Sequence, residues 1–304
     1  MRLEETSRMK NFVPMVKTLI KLACKHLGLN EYILQIRMLP YRNVKRFTAT
    51  LNDVTVQFST EDEYSKCWFF PRYARGRIHE KVVTEILVEA LQSAKCFVDV
   101  GAHIGWYTCI ASKHMPYGSV YGFEMDDLSF ALLKKNIAIN NCTNVEVYNV
   151  AVSESPGMVS YKRDTKRPNP GFYLQANTKD ENSAGFVSVN SMILDEFLKS
   201  KGIVPDVIKV DVEGAEMNVL MGMRQTLRSY KPILFLEIHP SNLHYFSTST
   251  SAILSLLIEN DYKVFEIESM RSQESHGRLK SLLQDSMIKG NTMLYANAVG
   301  EIGS

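Results

Sequence analysis

Apolar and polar positions along the chain fall into two rhythms. In "FTATLNDVTVQFST" they alternate on either side of Asn52-Asp53, which predicts two strands joined by a tight hairpin turn. From Glu80 to Gln92 apolar residues recur at helical spacing. Seven strand-like runs follow: "KCFVDV", "SVYGFE", "NVEVYNVAV", "DVIKVDV", "PILFLEIH", "YKVFEI" and "TMLYANA". Helical segments fit between them at 107–114, 128–140, 194–201, 215–229 and 251–260. Strand and helix in regular alternation predict an α/β fold, a mostly parallel sheet with crossover helices on its faces.

One stretch breaks the alternation. Residues 153–187 are polar and carry Pro156, Gly157, Pro168, Pro170, Gly171 and Gly185, so they read as a long loop whose "KRDTKRP" cluster faces solvent. Near the N-terminus, Val16, Leu19, Ile20, Ala23 and Leu27 form the apolar stripe of a basic amphipathic helix. Lys17, Lys21 and Lys25 interrupt it, which speaks against a signal peptide. Packing on its own domain or on a partner subunit is expected, with peripheral membrane contact the less favoured use. The division that follows is an N-terminal helix and hairpin over 1–77 and an α/β domain over 78–304.

Composition narrows the class without choosing within it. The 304 residues are 45% hydrophobic and 22% charged, ordinary for a globular chain. A net charge of +2 gives no support to a nucleic-acid partner. The five cysteines (Cys24, Cys67, Cys96, Cys109, Cys142) contain no Cys-x-x-Cys pair, so neither a zinc knuckle nor a disulfide framework is indicated, and a reducing, cytoplasmic setting is the expectation.

Candidate chemistry begins at "FVDVGAHIG", a strand emptying into a turn where ligands of open parallel sheets bind. A dinucleotide fingerprint needs Gly-x-Gly-x-x-Gly, and here His103 stands in place of the middle glycine, so a pyrophosphate is disfavoured. No Gly-Lys-Ser/Thr follows to make a phosphate loop. Asp99 before the turn suits an ammonium group, and Glu124 at the end of the next strand suits the two hydroxyls of a ribose. A nucleoside with an ammonium and no pyrophosphate is S-adenosylmethionine. The expected cofactor set is Asp99, Gly101, His103, Gly105, Tyr107, Thr108, Glu124, Met125 and Ala151. The plainer alternatives are that the glycines serve a tight turn and the acids cap helices.

These motifs, with "NVAVSESPG", "VSVNSMILDEFL", "DVIKVDVEGAEMNVLMG" and "LFLEIHP", resemble the FkbM family of S-adenosylmethionine-dependent methyltransferases over roughly 78–296. His103 stands where the family more often has Asn, and Met125 where Pro is common. The resemblance implies a Rossmann-like class I methyltransferase fold, a seven-stranded sheet with its last strand antiparallel. It also implies O-methylation, often of sugars or natural-product hydroxyls.

A second constellation sits on the next strands. Alternation puts Lys209 and Asp211 on one side of a strand, and likewise Glu237 and His239. Adjacent strands would bring them to the methyl group. In-line transfer to a hydroxyl needs alignment and an acceptor for the proton. Asp211 or His239 is the expected general base and Glu237 the orienting group, with Lys209 beside them. A divalent ion on Asp211, Glu237 and His239 is the less favoured arrangement. Glu213 and Glu216 are expected to favour the helix N-terminus that follows. The acceptor expected is a sugar, glycan or small molecule. Alternatives are an RNA ribose 2′-O-methyltransferase and a non-catalytic binding protein of the same fold.

Overall fold

The computed structural model describes residues 43–62, 64–69, 73, 76–163, 172–174, 186–273 and 278–298. The predicted helix around Val16–Leu27 lies outside them, as does most of the expected loop. Among the described residues no helix is long and apolar enough to cross a membrane.

The hairpin forms as its alternation dictates, β1 (Arg46–Leu51) against β2 (Val54–Ser59). Asn52 and Asp53 both take left-handed φ, 45° and 63°, the turn whose twist suits a two-residue hairpin. Asn136 and Asn140 fasten it to the core through bonds of 2.7–2.8 Å with the backbone of Gln57 and Ser59.

The central sheet is built from β3 (Cys96–Val100), β4 (Ser119–Phe123), β5 (Val145–Tyr148), β10 (Val207–Val210), β11 (Ile233–Ile238), β12 (Tyr262–Ile267), β13 (Leu279–Leu282) and β14 (Thr292–Ala298). Its order is β13-β12-β14-β11-β10-β3-β4-β5. The run from β11 to β5 is parallel, while β14 is inserted antiparallel between β11 and β12. This is the class I methyltransferase order with one strand more than the seven expected, the edge strand β13, whose burial is mostly on one residue, Leu282. Helices cover both faces. α1 (Lys81–Leu91), α2 (Trp106–His114) and α3 (Asp127–Ile139) belong to one set of crossovers, and α4 (Leu194–Lys201), α5 (Glu216–Gly222), α6 (Arg224–Ser229) and α7 (Thr250–Glu259) to the other. The strand period of two assigns Phe97, Val207 and Phe235 to one apolar cluster and Val98, Ile208 and Leu234 to the other. With both faces covered, every residue of β3 and β10 is buried.

Three expectations need correction. "NVEVYNVAV" is not one strand: Asn149 bonds the carbonyls of Glu124 and Met125, and beyond it the chain leaves the sheet as β6 (Ala151–Val152). Residues 153–187 are not simply a loop. β7 (Gly157–Arg163), β8 (Phe172–Leu174) and β9 (Phe186–Met192) join β6 in a second sheet, ordered β6-β9-β7-β8. Its strands pair across large sequence gaps, as Gly157 with Ser191, which local patterning does not reveal. Tyr161 anchors that sheet, donating its hydroxyl to buried Asp126 at 2.9 Å. Finally, the single helix expected over 215–229 breaks at Met223.

Candidate active site

Strand order reverses between β3 and β10, and beyond the carboxyl ends of the strands there lies a cavity of about 740 Å³. The turn after β3 is shaped by close approach. Gly101 has φ 79°, and a Cβ there would sit 1.9 Å from the backbone oxygen of Asp211. Gly105, at φ 87°, leaves room for Leu133, whose Cδ1 would lie 2.6 Å from an added Cβ. His103 itself is left-handed, φ 52°, a conformation Asn, Asp and His tolerate better than most residues. Its N–H donates to Glu124 Oε2 at 2.7 Å, so the residue that replaces the middle glycine orients the acid of the neighbouring strand.

Ten of the thirteen expected site residues line the cavity: Gly101, His103, Tyr107, Glu124, Met125, Ala151, Lys209, Asp211, Glu237 and His239. Gly105, Thr108 and Asp99 do not. Asp99 lies beneath the surface of the cavity, fully buried, with Thr108 Oγ1 donating to it at 2.6 Å and Lys209 Nζ at 3.8 Å. Burial pushes its carboxyl up, against the pull of Lys209 and Thr108, and its Oδ1 has no hydrogen bond. The ammonium contact expected of Asp99 is therefore not presented at the wall. Its place there is taken by Lys209, buried under the ring of Tyr107 at 4.9 Å from the centroid and paired with Asp211 Oδ2 at 3.4 Å.

Glu124 is buried at the cavity edge and accepts from the backbone N–H of Asp126 as well as that of His103, both at 2.7 Å. Burial raises it to about 7, even though those two N–H groups favour the charge. Burial likewise lowers His103 to about 4, leaving a neutral ring edge-on to Tyr64.

The second constellation assembles as the strand period requires. Asp99, Lys209 and Glu237 lie on one face because Lys209 is registered with Asp99 and with Phe235. His239 Nδ1 meets Glu216 Oε1 at 2.7 Å, and its Nε2 faces Glu213, Glu237 and Asp211 at 3.4, 3.8 and 3.9 Å. Burial opposes its charge, but the bond to Glu216 and the three other acids outweigh burial and raise it to about 10. These acids thus favour the protonated ring over the neutral one. Glu216 is drawn off helix-end duty in part, holding both His239 and the N–H of Gly214. Burial also works to raise Asp211, yet Lys209 and His239 hold it low; Glu237 is pushed well up by burial and by Asp211.

The pattern along the chain did not point to Glu80, His79, Tyr73, Arg271 or Gln273, all of which line the cavity. Tyr107 donates to Glu80 at 2.9 Å, and Arg271 reaches Glu80 at 3.5 Å and Glu237 at 3.2 Å. Gln273 clamps Ile78 through both its amide atoms, at 2.9 and 2.8 Å. These contacts join segments nearly two hundred positions apart, and only a polar residue beside a helix start, Glu80, could have hinted at them.

Comparison with known proteins agrees with this geometry. The chain is 31% identical over 162 residues to the hexuronic acid methyltransferase AglP of Haloferax volcanii, covering 53% of this chain and 62% of that protein. It is 26% identical over 145 residues to methyltransferase 1 of Beauveria bassiana, covering 41% and 57%, and 29% identical over 163 residues to methyltransferase sdnD of Sordaria araneosa, covering 44% and 62%. The chain thus spans about three fifths of the length of these curated relatives. The model of the methyltransferase FkbM domain matches residues 99–264, from the buried acid of β3 into β12. That match takes in more than half of the chain, both turns that build the cavity, four of the five parallel strands and the end of the fifth, β3, and the chain belongs to the FkbM methyltransferase family.

Proposed function

We propose that this chain is an S-adenosylmethionine-dependent O-methyltransferase that modifies a hydroxyl of a sugar, glycan or related small molecule. The observation that carries the reading is the juxtaposition, across one cavity, of Glu124 and the 101–105 turn with the Asp211, Glu237 and His239 cluster. The residues present fit the cofactor. Both oxygens of Glu124 keep a lone pair beyond the backbone bonds they accept, so they can take ribose hydroxyls. The cavity volume falls in the range of ligand sites, about 300–1,000 Å³. Bound there, S-adenosylmethionine supplies a sulfonium methyl as electrophile.

The chain's own part is alignment and proton removal. The cavity would hold the acceptor hydroxyl in line with the cofactor's methyl, and the carboxylates around it would take up the hydroxyl proton. Glu237, expected to orient, is raised by burial and is the more basic carboxylate, whereas Asp211, an expected base, is held low by Lys209. Support for a sugar acceptor comes from the hexuronic acid methyltransferase relative, and from the tyrosine, histidine and arginine side chains on the cavity wall, which can stack on and hydrogen-bond a ring bearing hydroxyls.

The test is calorimetric titration with S-adenosylmethionine followed by transfer of a labelled methyl group to a panel of hexoses, hexuronic acids and their glycosides. Binding with transfer to a hydroxylated acceptor is expected. Absence of cofactor binding by the folded chain sinks the reading.

A further inference from the structure

His239 has one nitrogen whose partners stop short of it. The side chain is 2% exposed, and Nδ1 is fixed by Glu216 at 2.7 Å. Nε2, by contrast, opens toward the cavity with Glu213 Oε2, Glu237 Oε1 and Asp211 Oδ1 at 3.4, 3.8 and 3.9 Å, and among the described residues it makes no hydrogen bond. A charge-assisted N–H···O bond closes to about 2.7–2.9 Å. Three oxygens that all stay farther out around one buried nitrogen leave a gap at their centre.

The gap is slightly wider than a cation's coordination shell, by an amount that small side-chain movements would close. With metal–ligand distances of about 2.1 Å, ligand atoms at right angles are about 3.0 Å apart, and those at wider angles approach 4 Å. The ligand atoms of Asp211, Glu237 and His239 lie within 4.8 Å of one another. Lys209 engages Asp211 through Oδ2, so Asp211 Oδ1, the oxygen that faces the gap, makes no hydrogen bond, while Glu237 faces it with Oε1, which also accepts from Arg271 at 3.2 Å. A carboxylate on the far nitrogen of the histidine, here Glu216, is the usual way a ligating imidazole is aimed.

We propose that Asp211, Glu237 and His239 form a divalent-cation site, with Glu216 positioning His239. Two carboxylates and one imidazole suit an ion such as Mn²⁺ or Mg²⁺. Three protein ligands leave coordination positions open toward the cavity, which two neighbouring oxygens of the acceptor can fill. The preferred acceptor then carries adjacent oxygens, as a sugar ring does. That last step rests on the methyl-transfer reading above; the ion site does not.

The experiment is a titration of the full chain, stripped of metal by chelator and free of cofactor, with Mn²⁺, the free ion being followed by electron paramagnetic resonance. Saturable binding near one ion per chain is expected, weakened about 10–100-fold in His239→Gln and Glu237→Gln and about tenfold in Glu216→Gln. Asp211→Asn, whose side chain is 28% exposed, decides the matter if a buried variant fails to fold. Each preparation is also titrated with S-adenosylmethionine. Cofactor binding without Mn²⁺ binding by the unsubstituted chain overturns the cation site and leaves the methyltransferase reading intact. Mn²⁺ binding that is unchanged in both Asp211→Asn and His239→Gln overturns it too, since the ion is then elsewhere. Mn²⁺ binding lost in the variants without any cofactor binding upholds the site and overturns the methyltransferase reading.

Discussion

Glu124→Gln separates what the cavity does for binding from what it costs the fold. The carboxyl is buried, and burial raises it from 4.5 to about 7. An acid whose pKa is raised on folding gains relative stability in its protonated form. That contribution is complete below 4.5 and is lost as pH climbs through about 7, amounting to roughly 3 kcal/mol for a shift of about two and a half units. Removing the charge relieves this at pH 8, but the amide can accept from only one of the N–H groups of His103 and Asp126, and the stranded donor costs about 1–3 kcal/mol. The two effects nearly cancel, so unfolding of the variant should shift by no more than about 2 kcal/mol. Cofactor affinity has no such compensation. Charged hydrogen bonds to the ribose are worth about 1.5–3 kcal/mol, which predicts a loss of roughly 10–100-fold at pH 8. The native chain should itself bind about ninefold more tightly at pH 8 than at pH 6, because the ionised share of a group titrating near 7 rises from about a tenth to about nine tenths. Calorimetric titration across that interval measures both. Native affinity that is flat with pH, or a variant that keeps the native slope, would refute the assignment of Glu124 to the ribose.

Other substitutions probe the supports of the site. Gly101→Ala places a Cβ 1.9 Å from the Asp211 carbonyl at φ 79° and should cost at least about 2 kcal/mol together with cofactor binding; an unchanged thermal midpoint would contradict it. Lys209→Met strands buried Asp99 and is expected to lose about 3–5 kcal/mol in urea unfolding at pH 7. Because burial already raises Asp99, that penalty should shrink toward pH 4 as the acid takes a proton, and a pH-independent penalty would count against the pairing. Thr108→Val removes the 2.6 Å bond to Asp99 and should cost about 1.5–3 kcal/mol where Thr108→Ser costs little; equal losses in the two would point to packing instead.

The alternation of apolar residues was enough to place seven strands of the main sheet and most of its helices, because helix and strand periods are local properties of the chain. The same period of two correctly paired Lys209 with Asp211 and Glu237 with His239, and the glycine spacing located the turn after β3. Strand pairing beyond neighbours was not legible. β7 and β8 read as loop because β7 pairs with β9 across as many as 34 positions, Gly157 with Ser191, and nothing in a polar, proline-rich stretch encodes that pairing. What a residue does at the site also waited for three dimensions. Asp99 lies fully buried beneath the cavity wall, which Lys209 of the neighbouring strand forms in its place. His103 orients Glu124 through a left-handed φ and its backbone N–H. His239 is pushed up because Glu213 and Glu216, from the turn after β10, close around it, and Glu80 and Arg271 reach the cavity from segments nearly two hundred positions apart. Local sequence determines the elements and which way each side chain faces. Burial, charge and the company a group keeps are sums over the whole packed molecule, and those decided the chemistry.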